Sequence, residues 1–573
     1  MNYQIIIQHL QSCGYSVSTA NVFARDAIEV KVSIGSYVIT LIHFEVDEIT
    51  SMPVFYLKDP QQFPRLAHTT SSKDFNLASL CVNVTDSVSI NYEVPKIAFE
   101  DSLRRHIELL KKCLTDLTWN KDELLREFLA SWYSLTDTKF NDIICVVESP
   151  EFCTLKVYAT EGKWGLKSCV LVHPENYDLK TKEPFFRIQV AERKTQPDLG
   201  CILPLPSITS IPWTVSDLPQ WFLDHIELLN PEIKGLFLTT FAQIRKNIFW
   251  VIFNINTPSG KSWFGLKFQH KKSRVNKSLP IKLENFSEWN IEACSIKLFD
   301  KSSLIPRGGA FCDLQDKHVL LVGCGSVGGY IADQLASCGL GSLTLVDSDT
   351  ISIENTYRHY LSIDYLNWEK TTGLQVKIAT KYPWINIKPV NGCLLNFRNV
   401  SILNSFDLVI IAIGSPTKER IFHDYCIKSK VKTAIINTWT EGYGVGGHAI
   451  LDIPKQKGCL RCAYVDNENL CRGLVSNLNF LKPNQDLTRN LSGCGNAFLP
   501  YSNLSAIQTA SITTDLALKF LQSKIIDSSK VSWKGSDLEA LNENLELTDR
   551  YYAFSKSLLI TPLLNPECDI CNE

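Results

Sequence analysis

Cysteine is the residue type that offers the most chemistry in this chain. The 573 residues include 19 cysteines, and four of these form two CxxC pairs, Cys459 with Cys462 and Cys568 with Cys571. Each pair presents two thiolates from a tight turn, and two pairs together complete a tetrahedral tetrathiolate zinc site with no open position. A structural Zn²⁺ ion, a redox pair and incidental thiols are the three interpretations that the cysteine pattern leaves open.

Two other cysteines are candidate nucleophiles. Cys494 lies between two glycines just before a predicted helix, and a helix N-terminus lowers the pKa of a nearby thiol. Cys81 follows an apolar run and comes 13 residues after His68. Taken alone, both positions also suit a buried structural thiol, and Cys471 competes with Cys494 for the nucleophilic role.

A glycine-rich segment indicates a nucleotide site. Gly323, Gly325 and Gly328 follow an apolar strand at residues 318–322 and open a predicted helix, and Asp347 ends the next strand. Glycines at this spacing permit a tight turn and a close approach of the backbone to a phosphate, while the helix N-terminus attracts negative charge. An acid at the end of the second strand is placed to hold ribose hydroxyls. The pattern predicts a dinucleotide or adenylate site.

The residues after Asp347 favour ATP over a dinucleotide. Asp349, Asn355, Arg358 and Lys370 follow it in order. A triphosphate carries more charge than a pyrophosphate diester, and converging arginine, lysine and asparagine side chains neutralise and orient that charge. An NAD-dependent oxidoreductase would leave these side chains unexplained and ranks last among the alternatives.

This ordered combination resembles the adenylating domain shared by ThiF, MoeB and the ubiquitin-activating enzymes, and the resemblance covers nearly half of the chain. It implies that Asp347 holds ribose and that Asn355, Arg358 and Lys370 grip the phosphates of ATP. It also implies a structural Zn²⁺ ion on the two CxxC pairs, Cys494 as the acceptor of the activated acyl group, and a homodimer.

Ser415 departs from that family. The family places a magnesium-binding aspartate after its fourth strand, where this chain has the segment Ile-Gly-Ser ending at Ser415. Asp349 or the ATP phosphates themselves are then left to hold Mg²⁺.

The N-terminal segment resembles a ubiquitin-conjugating enzyme. A helix, a β meander, a proline-containing stretch with His68, a Leu-Cys dipeptide ending in Cys81 and further helices occur in that order. The resemblance implies that Cys81 carries an acyl group as a thioester. The usual His-Pro-Asn element is absent, because two threonines follow His68, which leaves Asn76 or Asn83 to stabilise the oxyanion.

An activating domain behind a conjugating-like domain resembles the bacterial fusion proteins of CBASS antiphage operons. The resemblance implies ATP-dependent adenylation of a protein's C-terminal carboxylate, thioester formation on Cys494, transfer to Cys81 and conjugation to a lysine of an acceptor protein. The activated protein is then a CD-NTase-type nucleotidyltransferase, a cyclic-oligonucleotide synthase with an exposed C-terminus. The alternatives are a sulfur-carrier adenylyltransferase, in which Cys494 carries persulfide, and a non-enzymatic scaffold with a degenerate nucleotide site.

The periodicity of apolar residues predicts the elements that position these groups. Grouped strands followed by helices indicate an α+β, conjugating-like domain in residues 1–138, with helices over 99–114 and 121–133. Residues 139–300 are predicted to form a middle α/β linker domain of unknown role. Alternating strands and helices in residues 301–573 indicate a doubly wound, Rossmann-like parallel sheet.

Charge and hydropathy argue against several partners. Lysine and arginine total 58 against 60 acidic residues, so the formal net charge is −2 and no concentrated basic surface for nucleic acid is indicated. No apolar run reaches the roughly 18 residues of a membrane span, and the first residues lack a secretory pattern. We expect a cytoplasmic protein in a reducing compartment, where its thiols stay free.

Overall fold

The structure is a computed structural model, and it describes residues 1–71, 76–82, 89–136, 143–147, 150–160, 169–175, 196–466, 471–472, 474–490 and 497–555. The chain divides into two compact units, Met1–Asp300 and Lys301–Glu573. Asn83, Cys494, Cys568 and Cys571, which the sequence singles out, lie outside the described residues.

The first unit begins with an antiparallel sheet whose described strands run in the order β1-β2-β3-β4-β6-β5. Ile6, Leu41, Phe99 and Leu103 are fully buried between this sheet and two helices, α1 and α2, which pack against each other. The elements are α1 (Tyr3–Ser12), β1 (Ser16–Val22), β2 (Arg25–Ile34), β3 (Tyr37–Phe44), β4 (Tyr56–Lys58), β5 (Thr69–Ser71), β6 (Leu77–Leu80) and α2 (Pro95–Thr115).

One predicted helix is two helices in the structure. Residues 121–133 are divided between α3 (Leu117–Arg126) and α4 (Phe128–Tyr133), which meet at Glu127. Glu127 leaves helical geometry, with φ −99° and ψ 15°, and its carboxylate accepts a hydrogen bond from the His68 backbone N–H at 2.9 Å. The break therefore turns Glu127 toward the segment that precedes β5.

The rest of the first unit is built on a closed barrel, an arrangement that the sequence analysis did not specify. Its described strands run in the order β10-β11-β12-β13-β7-β9-β8, and β10 also pairs with β8 to close the ring. Two helices pack on it, and Phe128 and Trp132 of α4 join the same aromatic core. The elements are β7 (Ile143–Cys145), β8 (Cys153–Thr160), β9 (Cys169–Pro174), β10 (Asp198–Pro204), α5 (Leu218–Glu227), α6 (Pro231–Gln243), β11 (Ile248–Thr257), β12 (Gly260–His270) and β13 (Trp289–Leu298).

The second unit contains the doubly wound sheet that the sequence predicts. Its described strands run in the order β16-β15-β14-β17-β18-β19-β24, with the first five parallel and the last two antiparallel. The strands of this sheet are β14 (His318–Val322), β15 (Ser342–Asp347), β16 (Asn386–Asn391), β17 (Leu408–Ile411), β18 (Ala434–Thr440), β19 (Gly446–Asp452) and β24 (Ser529–Lys534). Two separate two-stranded sheets pair β20 (Val465–Asp466) with β21 (Cys471–Arg472) and β22 (Arg489–Asn490) with β23 (Ala497–Phe498).

Helices cover both faces of this sheet, and its central strands β14 and β17 are almost completely buried. The helices are α7 (Lys301–Leu304), α8 (Ser326–Ser337), α9 (Lys370–Lys381), α10 (Val400–Leu403), α11 (Pro416–Lys428), α12 (Asn503–Leu521), α13 (Leu538–Asn542) and α14 (Asp549–Ala553). The strand order reverses between β14 and β17, and a crevice opens at such a point outside the carboxyl ends of the strands. Within the described part of the chain, no helix is long and apolar enough to cross a bilayer.

Candidate functional site

A cavity of about 460 Å³ lies where the strand order reverses. It is bounded by the start of α8, the start of α11 and the end of β18. Four residues singled out in the sequence line it: Gly325, Asn355, Arg358 and Lys370. The fold therefore brings together side chains that are up to 45 positions apart in the chain.

The glycine loop at the mouth of α8 leaves no room for side chains at two of its three glycines. Gly323 has φ +94°, and a Cβ atom there would lie 2.6 Å from the carbonyl oxygen of Ala412. A Cβ atom on Gly328 would lie 1.8 Å from the carbonyl oxygen of Gly323, whereas Gly325 faces open space. The first and third glycines thus let the helix approach the strand, and the second leaves the cavity open.

Asp347 ties this loop to the end of β15. Its Oδ2 accepts a hydrogen bond from the Cys324 N–H at 2.6 Å, and its Oδ1 accepts one from the Asp349 N–H at 2.8 Å. Asp347 is half-buried, and neither it nor Asp349 is among the residues that line the cavity. In the structure Asp347 orders the backbone next to the cavity, and its role toward ribose stays a prediction.

The cations of the site converge from two elements. Lys370, the first residue of α9, is 8% exposed, and its Nζ lies 2.9 Å from Oδ2 of the exposed Asp349. The Arg358 guanidinium lies 5.1 Å from the centre of the Tyr501 ring and donates to the Leu499 carbonyl at 3.4 Å. Two positive charges beside a glycine loop and a helix N-terminus make this cavity suited to an anion such as a phosphate chain.

Glu419 is a cavity residue that the sequence analysis missed. It is 3% exposed and comes one turn after Ser415, whose N–H donates to its Oε1 at 3.1 Å. Its Oε2 accepts a hydrogen bond from the buried Asn437 amide at 2.9 Å. Burial raises the pKa of Glu419 to about 7. The sequence offered one indication of this residue, a glutamate in the first turn of a helix that begins at Pro416. The same combination of proline and glutamate is common at the start of ordinary helices, so it does not identify a cavity residue.

Magnesium binds through hard oxygen ligands, and this site offers two carboxylates of that kind. Glu419 lines the cavity directly, and Asp349 lies beside Lys370. Glu419 in the cavity and Asp349 beside Lys370 are therefore two described carboxylates that could serve Mg²⁺, since Ser415 brings none of its own.

His359 is a second missed residue, and it fixes the glycine loop from the side opposite Asp347. Its Nδ1 accepts the Leu361 N–H at 3.0 Å, so Nε2 carries the proton and donates to the Cys324 carbonyl at 2.7 Å. Burial is the main reason why the pKa of His359 falls to about 4, which keeps the ring neutral. Tyr501 adds a further tie, since its hydroxyl lies 2.7 Å from the Ser326 hydroxyl.

Two of the four predicted zinc ligands are described. Cys459 is half-buried and Cys462 is exposed, and a turn joins them in which the Cys462 N–H donates to the Cys459 carbonyl at 2.9 Å. Asp452 supports the turn by accepting the Leu460 N–H at 3.1 Å. This turn presents two neighbouring thiols and fits one half of a tetrathiolate site.

Cys81 is exposed and follows β6 directly. Its N–H donates to the His68 carbonyl at 2.8 Å, so the two residues face each other at the end of the β5–β6 ladder. Burial, and to a smaller extent the charge of Glu127, raises the pKa of the thiol. Asn76, one of the two asparagines considered for the oxyanion, donates its side-chain amide to Asp59 instead.

The doubly wound sheet, the glycine loop and the convergent Asn355, Arg358 and Lys370 side chains define a nucleotide-binding domain. Residues 304–532 match the ThiF family, and the C-terminal part of the chain is a ThiF domain.

Curated relatives match parts of the chain. The ATP-dependent ubiquitin transferase-like protein Cap2 of Pseudomonas aeruginosa is 28% identical over 214 residues, which are 36% of this chain and 37% of that protein. Cap2 of Escherichia coli strain TW11681 is 23% identical over 387 residues, covering 63% and 60% respectively. The chain thus spans between about two fifths and three fifths of these relatives. Among solved structures, E. coli MccB with ATP aligns at 16% identity and a TM-score of 0.30, over 41% of this chain and 64% of that one.

Proposed function

We propose that the chain is an ATP-dependent ligase that joins the C-terminal carboxylate of one protein to an amine of another in a ubiquitin-like manner. The observation that carries the proposal is the convergence of the glycine loop, Asn355, Arg358 and Lys370 on one cavity of a ThiF domain. The relatives named ATP-dependent ubiquitin transferase-like protein Cap2 support the same class of reaction.

The first step activates a carboxylate, which is a poor electrophile. An oxygen of the carboxylate forms a bond to the α-phosphorus of ATP, the bond to the β-phosphate bridge breaks, and pyrophosphate leaves. Arg358 and Lys370 stabilise the negative charge that builds up on the phosphates. Asp349 and Glu419 are the residues that would hold Mg²⁺, which when bound would neutralise part of the same charge. The resemblance to the adenylating domain further implies that Asp347 would hold the ribose of ATP.

The second step moves the acyl group along two thiols. The Cys494 sulfur attacks the acyl-adenylate carbonyl and AMP leaves, which gives a thioester that retains most of the activation. Thioester exchange then loads Cys81, whose exposed position allows an incoming acyl group to reach it. A lysine amine of the acceptor protein attacks last, and Cys81 is released as the free thiol.

Several parts of this proposal rest on the resemblance alone. The activated protein is proposed to be a CD-NTase-type nucleotidyltransferase of an antiphage system, the active form a homodimer, and the compartment the cytoplasm. A structural Zn²⁺ ion is proposed on Cys459, Cys462, Cys568 and Cys571, and the described turn at Cys459 supports this proposal.

A trapping experiment tests the whole scheme. The chain is incubated with ATP, Mg²⁺ and a CD-NTase-type protein, quenched at low pH, and its cysteine peptides are analysed by mass spectrometry. We expect acyl adducts on Cys494 and Cys81, and none with a partner whose C-terminus is amidated. Cys81→Ser should keep the Cys494 adduct and abolish conjugation.

Two results would overturn parts of the scheme. Full conjugation by the Cys81→Ser variant would remove Cys81 from the relay. Transfer of labelled sulfur, with no protein adduct, would establish the sulfur-carrier alternative in its place.

A further inference from the structure

Three side chains that can bind a metal ion meet where the end of α1 packs against α2. The Nε2 atom of His9 lies 2.8 Å from Oε2 of Glu100 and 3.9 Å from the Cys13 sulfur. The three donor atoms all lie within 4.8 Å of one another. A single histidine nitrogen therefore faces a thiol and a carboxylate at the same time.

The way α1 ends sets the spacing of the first two side chains. The Cys13 N–H donates to the His9 carbonyl at 3.0 Å, so the two residues lie one helical turn apart on the same face. Gly14 follows with φ +91°, and the Tyr15 N–H donates to the Leu10 carbonyl at 3.1 Å. This is the Schellman arrangement, in which a glycine adopts the left-handed conformation that ends a helix. Cys13 is thus held at the end of α1 by the backbone and remains exposed.

Helix α2 supplies the third side chain. Glu100 is the sixth residue of α2, and Phe99 and Leu103 beside it are fully buried in the core that α1 and α2 share. The core therefore sets the position of Glu100 relative to α1. The side chains of Glu100 and His9 are 42% and 23% exposed, which leaves the three donor atoms accessible to an ion from solvent.

The charges around the three side chains favour a cation. Arg104, one turn after Glu100 on α2, pairs with two other carboxylates, those of Asp101 and Glu108. The C-terminal end of a helix carries a partial negative charge, and this cluster lies at the C-terminal end of α1. One thiolate and one carboxylate together balance the charge of a divalent cation.

The donor types indicate which cation. Imidazole nitrogen, thiolate sulfur and carboxylate oxygen are the donors that Zn²⁺ takes in proteins, whereas Mg²⁺ and Ca²⁺ take oxygen. In a tetrahedral zinc site the nitrogen lies roughly 3.4 Å from the oxygen and roughly 3.6 Å from the sulfur. The distances of 2.8 Å and 3.9 Å in the structure are close to these values, and the partly exposed Glu100 side chain is free to make the adjustment.

We propose that His9, Cys13 and Glu100 form a Zn²⁺ site that joins α1 to α2, with its fourth position open to water. The Cys13 thiol loses its proton to solvent as the S–Zn bond forms, and the neutral His9 imidazole binds through Nε2 with its proton on Nδ1. Three protein ligands at a partly exposed site hold zinc less firmly than a closed tetrathiolate site, so this ion should be lost on dialysis against a weak chelator. Zinc binding here does not depend on the proposed ligase activity.

Cobalt is the probe for this site, because a thiolate bound to Co²⁺ gives a charge-transfer band in the near ultraviolet. The full chain is dialysed against citrate, its remaining zinc is measured by elemental analysis, and it is then titrated with Co²⁺ at neutral pH. We expect one equivalent of Co²⁺ to produce the band in the unaltered chain and none in Cys13→Ser. Glu100→Gln should bind Co²⁺ at least about tenfold more weakly, the lower end of what loss of a residue that supports a metal ligand costs.

Two matched controls come from the same chain. Cys393→Ser alters another exposed thiol, one that hydrogen-bonds Asn396. Glu108→Gln alters another carboxylate of α2, one that pairs with Arg104. Both variants should titrate like the unaltered chain.

Alkylation by iodoacetamide gives a second measurement that does not use cobalt. Mass spectrometry of the two cysteine peptides should show that Zn²⁺ slows alkylation of Cys13 and leaves that of Cys393 unchanged. The site is overturned if the unaltered chain gives no cobalt band, if the band persists in Cys13→Ser, or if Zn²⁺ does not protect Cys13.

Discussion

Lys370 contributes a positively charged side chain to the lining of the nucleotide cavity. It is buried, it starts α9, and its Nζ is paired with Asp349 at 2.9 Å. An ammonium group that is buried and paired in this way is already desolvated, so that exchange of a carboxylate for a phosphate oxygen changes its surroundings little.

Removal of this ammonium group should therefore weaken ATP binding. Lys370→Ala is expected to lower the affinity for ATP about 10- to 100-fold, the range of a hydrogen bond to a charged group. Titration calorimetry with ATP and Mg²⁺ measures the change. Lys381→Ala is the matched control, because Lys381 ends the same helix, is 52% exposed and pairs with Asp333. Equal affinities for the two variants would show that the cavity does not hold the phosphates.

The sequence predicted the residues of this cavity in part. The glycine motif was predictable because it occupies a short contiguous segment, and of its three glycines Gly325 lines the cavity. Glu419 and His359 were missed because their partners are distant in the sequence: Glu419 of helix α11 hydrogen-bonds Asn437 of strand β18, and His359 hydrogen-bonds the backbone of Cys324. No local pattern distinguishes such residues from ordinary helix and loop positions.

At the scale of elements, the approach of helix α8 to strand β14 determines the shape of the site. The closest point is between Gly328 and Gly323, where even a single added carbon atom would meet a carbonyl oxygen at 1.8 Å. The N-terminus of α8 can point into the cavity only while this contact persists.

Gly328→Ala should separate helix and strand. We expect a loss of about 1–3 kcal/mol in the free energy of unfolding, as for overpacking at other tightly packed sites, together with loss of ATP binding. Chemical denaturation measures the first effect. Gly325→Ala serves as the comparison, since nothing lies within 4 Å of its added Cβ atom and its unfolding should match that of wild type. A Gly328→Ala variant as stable as Gly325→Ala would contradict the packing argument.

The elements of the first unit show where sequence periodicity stops being informative. The apolar pattern of residues 121–133 is continuous and predicts one helix. The break at Glu127 coincides with a contact to His68, a residue 59 positions earlier in the chain. Tertiary contacts of this kind override helix propensity, and the local pattern of apolar residues does not show them.

At the scale of the whole molecule, the doubly wound sheet was predictable and the barrel was not. Strands that alternate with helices have few parallel arrangements open to them, so the pattern alone indicated the fold. The barrel depends on pairs such as Ile143 with Ile296, at opposite ends of its segment. The local sequence around either residue gives no indication that the two will pair.

Zinc content tests the proposed link between the second unit and the end of the chain. The full chain should bind about one equivalent of Zn²⁺, and the double variant Cys568→Ser, Cys571→Ser should bind almost none and melt at a lower temperature, because structural zinc contributes directly to folding. Elemental analysis and thermal denaturation give the two quantities. The double variant Cys312→Ser, Cys393→Ser, which alters two exposed thiols, should retain the metal. Unchanged zinc in the first variant would disprove the tetrathiolate assignment.

The two hydrogen bonds on the backbone of Cys324 have a thermodynamic consequence for ligand binding. Asp347 accepts its N–H and His359 donates to its carbonyl, so both partners of the loop belong to the protein itself. The conformational entropy of the glycine loop is therefore lost during folding rather than when ATP arrives. Because the loop is ordered before ATP binds, a smaller ordering cost offsets the free energy of the phosphate contacts, and the net affinity is higher. The loop should accordingly behave as a fixed receptor, with similar hydrogen exchange in the free and nucleotide-bound chain.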